Sequence, residues 1–431
     1  MTQTAGGSKV RRPQRGRRLP RRHALLGGTT TAKDAITALR QLMTANELVD
    51  GPEIAEYERA FAAFVGASHA VSFAAGRVGL YGILRCLGIG EGDEVLLQVP
   101  THIVVANAIK YAGAQPVFVD CDLSTYNIDL DEVSPRITPR SRALLVQHTF
   151  GIPVEMAKAI ELADRHGLYL IEDCVHALGS TYHELQVGTF GRAAFFSTEE
   201  TKTMSTTMGG MVTTNDRDLA ERLRAFQLRC EEPPASQAAR YLVKLAAYHV
   251  LTEPRVHVVA RTAYEAVGRR HPLPRPTEAA ELRGDRPSGF ARRLSNGQAA
   301  VGLTQLATLE TNVAHRRVIA ERYRALLAPH GFRLPAPPTA SSPVFVRYPV
   351  WVPDRRSAER TMSSRVVVGT WFTSVLEEAL DPCVGGYVAG SCPRAEEAAR
   401  HLVNLPTHPR VDERDAEEIA ARLVLSQSRV P

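Results

Sequence analysis

Apolar residues recur at helical spacing from Asp34 to Leu48, and Asp50-Gly51-Pro52 interrupts the run. Pro52 suits the first turn of a second helix, Glu53 to Val65, in which Ile54, Tyr57, Phe61, Phe64 and Val65 form one stripe that stops near Gly66. The period then changes. Short apolar runs at Ala70–Ala74, Glu94–Leu97, Pro116–Asp120, Ala143–Val146, Leu168–Asp173, Ala193–Phe196 and Met211–Thr214 read as strands. Helical patterns over Val78–Leu87, around Ala106–Ile109 and over Glu155–His166 separate several of them. Buried strands alternating with helices predict an α/β fold whose largely parallel sheet is covered on both faces. Such sheets bind ligands at the carboxyl ends of their strands, which directs attention to the residues just after each one.

The rhythm breaks over 231–290, where Pro233-Pro234, an apolar helical stretch around Tyr241–Leu251 and a Pro- and Arg-rich loop succeed one another. A helix is expected across Asn296–Leu327, with Ala299, Ala300, Leu303, Leu306 and Leu309 on its buried face. Pro335, Pro337 and Pro338 mark a junction, and Val344–Val352 with the helical segments beyond it reads as a smaller α/β lobe. The expected organisation is a basic disordered arm over 1–32 and a large domain over 33–290, with 231–290 as an extended variable segment. A long helix and a small C-terminal domain follow over 291–431.

Composition narrows the class. The 431 residues are 44% apolar and 23% charged, enough to bury a sizeable core and incompatible with a wholly disordered, collagenous or disulfide-scaffold chain. No run of 18 apolar residues occurs, so no transmembrane helix is expected. The six cysteines are scattered without a CxxC pair, which argues against a zinc ribbon and fits free thiols in a reducing cytoplasm. The net charge of +6 is unevenly placed. Eight of the 52 Lys and Arg residues lie in the first 32 positions, which hold no acid, so the remainder falls just short of the 46 Asp and Glu. The body therefore carries no bulk basic excess of the kind nucleic-acid binding requires. Ala24-Leu25-Leu26 is too short for the apolar core of a secretory signal.

Four features at strand ends carry chemistry. Ala74-Ala75-Gly76-Arg77 lies between a strand and a helix, where a glycine lets backbone approach an anion and the helix N-terminus offers N–H groups. Asp173 ends a strand, with His176 three residues on; a carboxylate there can hold a protonated ring nitrogen or simply cap the next helix. Ser197 follows a strand and Lys202 comes five residues later, in a polar segment where an amine that loses its proton becomes a nucleophile. Gly209-Gly210 precedes a strand and permits close passage of backbone. An anion cradle, a partner for a ring nitrogen and an amine nucleophile on one parallel sheet make the kit for pyridoxal phosphate.

The chain resembles the DegT/DnrJ/EryC1/StrS family of sugar aminotransferases. The resemblance runs from about Leu48 to Leu425 and is carried by Gly51-Pro52-Glu53, Leu87–Val95, Tyr111–Asp120, Ile137–Arg140, Ile171–Gly179, Val187–Gly191, the Ser197…Lys202…Gly209-Gly210 segment, Gln298-Ala299-Ala300…Gln305-Leu306 and Asn404-Leu405-Pro406. It implies a pyridoxal-phosphate-dependent enzyme of fold type I, with a mainly parallel seven-stranded sheet in the large domain and a smaller C-terminal α/β lobe. It also implies a homodimer with its active site at the subunit interface. By the same resemblance Lys202 would hold the cofactor covalently, Asp173 would pair with the pyridine nitrogen, and His176 would sit near the ring hydroxyl. Ser197, Gly76 and Arg77 would hold the phosphate, and His102 would stack on the ring.

Three positions depart from the family pattern: Arg77 replaces a hydroxyl residue of the phosphate turn, Met208 a glutamate, and Ala291 the asparagine a neighbouring subunit lends to the phosphate. The expected reaction is transfer of an amino group from glutamate or glutamine to a keto-sugar or related polyol. Two alternatives are a dehydratase, whose branch of the family carries histidine where Lys202 stands, and a cofactor-binding regulator using the basic arm on DNA. No helix-turn-helix unit fits within the first 32 residues.

Overall fold

Seven strands form the central sheet of this computed structural model, which describes residues 21–24, 28–268, 277–369 and 371–428. In spatial order they are His69–Phe73, Gly210–Thr214, Ala193–Ser197, Tyr169–Asp173, Ser141–Gln147, Glu94–Gln98 and Gln115–Val119. All neighbours pair in parallel except Gly210–Thr214, which runs antiparallel to both strands beside it. The fold is thus the mainly parallel α/β architecture expected. The unbroken apolar character of these strands follows from burial on both faces. Val95 and Leu97 join one core with the helices Gly76–Cys86 and Ile103–Ala112, while Leu96 between them joins another beneath the helix Met156–His166.

The smaller lobe is built on two antiparallel strands, Arg347–Trp351 and Leu402–Pro406. The helices Leu309–Leu327, Arg355–Met362 and Glu413–Gln427 pack against them around a core of their own.

Local differences from the sequence pattern have local causes. The expected helix Asn296–Leu327 is two helices, Asn296–Leu306 and Leu309–Leu327. At the break the Thr308 N–H and hydroxyl both turn back to the Gln305 carbonyl, a closure that apolar periodicity cannot reveal. The first helix spans Ala32–Met43 and stops where Thr44 bonds back to the Gln41 carbonyl. Its start is fixed by a reciprocal cap between Thr31 and Asp34. A further helix, Pro254–Gly268, lies between the expected helical stretch and the Pro- and Arg-rich loop, entered through a proline that needs no N–H partner there.

Residues 1–20 and 25–27 of the expected arm lie outside the described residues. The remainder is not free: Arg21 pairs with Asp412 at 2.8 Å and Asp415 at 3.0 Å, and His23 bridges to Val366.

Candidate active site

Asp173 closes the strand Tyr169–Asp173 with its carboxylate buried at the sheet's carboxyl edge. One oxygen accepts the Val175 N–H at 3.0 Å, while Oδ2 is buried and has no hydrogen-bond partner. Burial raises this carboxyl to about 7, against the pull of the Val175 N–H and Lys202. An orphaned buried carboxylate oxygen is costly in a folded chain and fits a cationic partner such as a protonated pyridine nitrogen.

Lys202 is half-buried, and its Nζ lies 4.2 Å from the centre of the Trp371 ring. Burial lowers its amine to about 8, helped by Arg347 and opposed by Glu199 and Asp173. A fraction of this amine is therefore uncharged near neutral pH, the form that attacks a carbonyl carbon.

The irregular segment carrying Lys202 is held by side chains from the following helices. Gln298 donates to the Thr206 and Met208 carbonyls, Gln305 accepts the Ser205 N–H, and Asn312 donates to the Thr203 carbonyl. Asp34 in turn fixes Gln305 at 2.6 Å. The Gln298…Gln305 motif thus satisfies backbone that neither helix nor sheet can pair.

His176 follows Asp173 by three residues and stacks on Trp371, the ring centres 4.3 Å apart. The Phe150 N–H donates to its Nδ1 at 3.3 Å, which places the proton of the neutral ring on Nε2. Burial, with Lys202, Arg347 and His102 nearby, holds the ring well below its ordinary pKa, so it is neutral.

At the turn before the helix Gly76–Cys86, the cap residue Ala75 offers no side-chain acceptor, which leaves the first N–H groups available to an anion. A side-chain carbon on Gly210 would lie 2.4 Å from the Gly76 nitrogen, so the glycine beside the turn is required for backbone to pack there. Ser197 faces the same turn, its Cβ 3.5 Å from where a carbon on Gly76 would stand. Orphan carboxylate, half-buried amine and glycine cradle together fit pyridoxal phosphate.

Two further expected residues already have partners within the chain. Arg77 places its Nε 2.7 Å from the buried Glu281. His102 caps the helix Ile103–Ala112 through Nδ1 and sets Nε2 3.4 Å from Glu378. Arg77 and Glu281 line a cleft of about 470 Å³. The 231–290 segment supplies one wall of it through Gln237, Arg240, Tyr241 and Lys244.

The sequence reading missed Trp371, Arg347 and Asn404 as parts of this site. Asn404 clamps the Trp371 backbone, accepting its N–H at 3.0 Å and donating to its carbonyl at 2.5 Å. The available signals were weak: Trp371 is one of two tryptophans, and Arg347 is a charge inside the apolar run Val344–Val352.

Residues 29–424 match the profile of the DegT/DnrJ/EryC1/StrS aminotransferase family. The chain is 31% identical over 378 residues to the GDP-perosamine synthase of Caulobacter vibrioides, covering 86% of this chain and 90% of that protein. It superposes on the crystal structure of Streptomyces venezuelae DesV, solved in complex with a ketimine intermediate, with a TM-score of 0.72 and 29% identity, covering 93% of this chain and 95% of that one. The putative sugar aminotransferase Spr1654 of Streptococcus pneumoniae, in its PLP form, shares the fold at a TM-score of 0.74 and 17% identity, covering 96% and 98% of the two chains.

Proposed function

The chain belongs to the DegT/DnrJ/EryC1/StrS aminotransferase family, whose cofactor is pyridoxal phosphate, and from that premise we propose that it transfers an amino group from glutamate or glutamine to the keto group of a sugar or related polyol. The observation that carries the reading is the Lys202 amine, brought to about 8 by burial, close enough to Asp173 for each to act on the other's charge, while Asp173 Oδ2 is buried without a partner.

When bound, the cofactor supplies a ring that withdraws electrons from the substrate carbon. The chain's own residues do the rest. Lys202 Nζ would hold the cofactor and, once released from it, would carry the proton to and from the substrate carbon. Asp173 Oδ2 keeps the ring nitrogen protonated, since a carboxylate facing a cation in a dry site stays ionised. His176 donates Nε2–H to the ring hydroxyl. The N–H groups at Gly76, with Ser197, cradle the phosphate, and Arg77, oriented by Glu281, adds charge to that end. His102, held by the Val104 N–H and Glu378, would cover the ring.

A second copy of the chain closes the cleft in front of Arg77. The exposed Ile36, Leu39 and Met43 on the helix Ala32–Met43 support such an association. Six free thiols support a cytoplasmic location, and no described helix is long and apolar enough to cross a membrane. The test of the reaction is a single-turnover absorbance measurement on the loaded enzyme. Glutamate or glutamine alone changes the cofactor spectrum once per site, and steady-state kinetics with a keto-sugar are ping-pong. If no amino acid changes the spectrum of fully loaded enzyme, the reaction is not amino transfer.

A further inference from the structure

Arg347 opens the strand Arg347–Trp351 and is 3% exposed. Its guanidinium carbon lies 3.6 Å from the centre of the Trp371 ring, the same ring that Lys202 Nζ approaches to 4.2 Å. Its Nη2 is buried without a hydrogen-bond partner, and among the described residues no carboxylate reaches the group within ion-pair distance. Gly369 leaves it room, since a side-chain carbon there would lie 3.0 Å from Nη1.

The neighbouring buried arginine behaves differently. Arg316 donates to Asn312, the Val346 carbonyl and Thr407 at 2.9–3.0 Å, so it is a structural tie within the small lobe. Among the described residues Arg347 makes no such bonds, and a buried guanidinium supported only by an indole face is unfavourable until an anion reaches it. Arg316, Arg347 and Lys202 all line one small cavity.

We propose that Arg347 is the anchor for the carboxylate of the amino donor. The proposal rests on the aminotransferase reading. The donor's reacting amine is carried by the carbon next to its carboxylate, so both must be held close together, and Lys202 and Arg347 are held close over one ring. A guanidinium presents parallel N–H donors that match the two carboxylate oxygens, which sets the orientation of the donor as well as its affinity. The keto end of a sugar carries no carboxylate and makes no matching demand, so the acceptor half-reaction uses Arg347 little.

The experiment uses the pyridoxal-phosphate-loaded enzyme with Arg347→Met and Arg347→Lys. Calorimetry with glutarate, a dicarboxylate without a reacting amine, reads the anchor independently of turnover. Binding weakens about 100-fold in Arg347→Met, the range found on removing one partner of a buried charged pair, and recovers in part in Arg347→Lys. In single turnovers the apparent donor KM rises by a similar factor, while the acceptor half-reaction changes about 3-fold or less. Circular dichroism and cofactor content confirm that the variants are folded and loaded. Glutarate binding unchanged in folded Arg347→Met overturns the proposal, as does a loss shared equally by both half-reactions. If wild-type enzyme binds glutarate but no amino acid reacts, the reaction reading fails while the anchor stands.

Discussion

Glu172 and Asp173 are adjacent, fully buried carboxylates on one strand, and nearly all the local hydrogen-bond donors go to the first. Glu172 accepts the N–H groups of Gly188, Phe190 and Gly191, each at 2.8 Å, and the Nε2 proton of His148 at 3.2 Å. Asp173 accepts one N–H and leaves Oδ2 bare. Strand alternation points the two side chains to opposite sides, so one ties down the Val187–Gly191 turn and the other keeps an unpartnered oxygen.

That contrast predicts opposite results for two neighbouring substitutions. Glu172→Ala leaves the Gly188, Phe190 and Gly191 N–H groups and the buried His148 without their acceptor and lowers stability by about 3–5 kcal/mol, seen as a lower midpoint in denaturant. Cofactor-free Asp173→Asn is as stable as wild type or more so, yet turnover falls by at least about 100-fold because the ring nitrogen loses its counter-ion. Near-normal turnover in Asp173→Asn would mean that the carboxylate only caps the turn after its strand.

The raised Asp173 carboxyl also sets a pH window. A folded value near 7 against an unfolded value near 3.8 means that the neutral carboxyl stabilises the fold. The contribution is complete below the unfolded value and is lost as pH rises through about 7. Cofactor-free wild type therefore loses stability between about pH 4 and 7 by an increment absent from Asp173→Asn. Parallel stability–pH curves for the two proteins would refute it.

Lys202 predicts a second pH dependence of opposite use. The rate at which cofactor-free enzyme takes up pyridoxal phosphate rises with pH and levels off above about 8, since the neutral amine is then fully formed. An ordinary lysine would keep rising toward about 10.5. Borohydride treatment of the loaded enzyme leaves the cofactor on the peptide that contains Lys202. Label on the Lys244 or Lys158 peptide would displace the assignment.

Arg77 and Glu281 make a testable couple. Arg77→Ala weakens pyridoxal phosphate binding by about 10- to 100-fold and slows the loaded enzyme less, if the guanidinium adds a charge-assisted contact to the phosphate. Glu281→Gln keeps the shape and removes the charge competing for Arg77, and so tightens or preserves cofactor binding. An unchanged dissociation constant in Arg77→Ala would leave the pair as a purely structural tie across the cleft.

Trp371 depends on Asn404 for its position, although the two lie in separate segments of the small lobe. Asn404→Leu fills similar volume but removes both clamping bonds, at a cost of about 1–3 kcal/mol if the freed backbone stays buried. Turnover falls with little change in cofactor content. Trp371→Phe keeps a ring beneath Lys202 and retains more activity than Trp371→Ala. Equal activity in the two would show that the ring face is not used.

What the sequence determined was everything encoded by short-range rules. Apolar runs buried on both faces specified the parallel sheet and directed attention to Gly76, Asp173, His176, Ser197 and Lys202 as candidates, because parallel strands deliver their carboxyl ends to one edge. Those residue types pointed to the cofactor, family blocks added the reaction, and the structure then gave Gln298 and Gln305 a physical reason as ties for the Lys202 segment. What only the tertiary structure decided were relationships between distant segments. The small lobe brings Arg347 and Trp371 over Lys202, Glu281 reaches Arg77 across more than 200 positions, and Asn404 clamps a loop some 30 residues before it. Periodicity reports which side of an element is buried, but which buried side chains meet is fixed by how the elements pack. A charged residue in an apolar strand gives no sign of its partner until that packing places it beside a reactive amine.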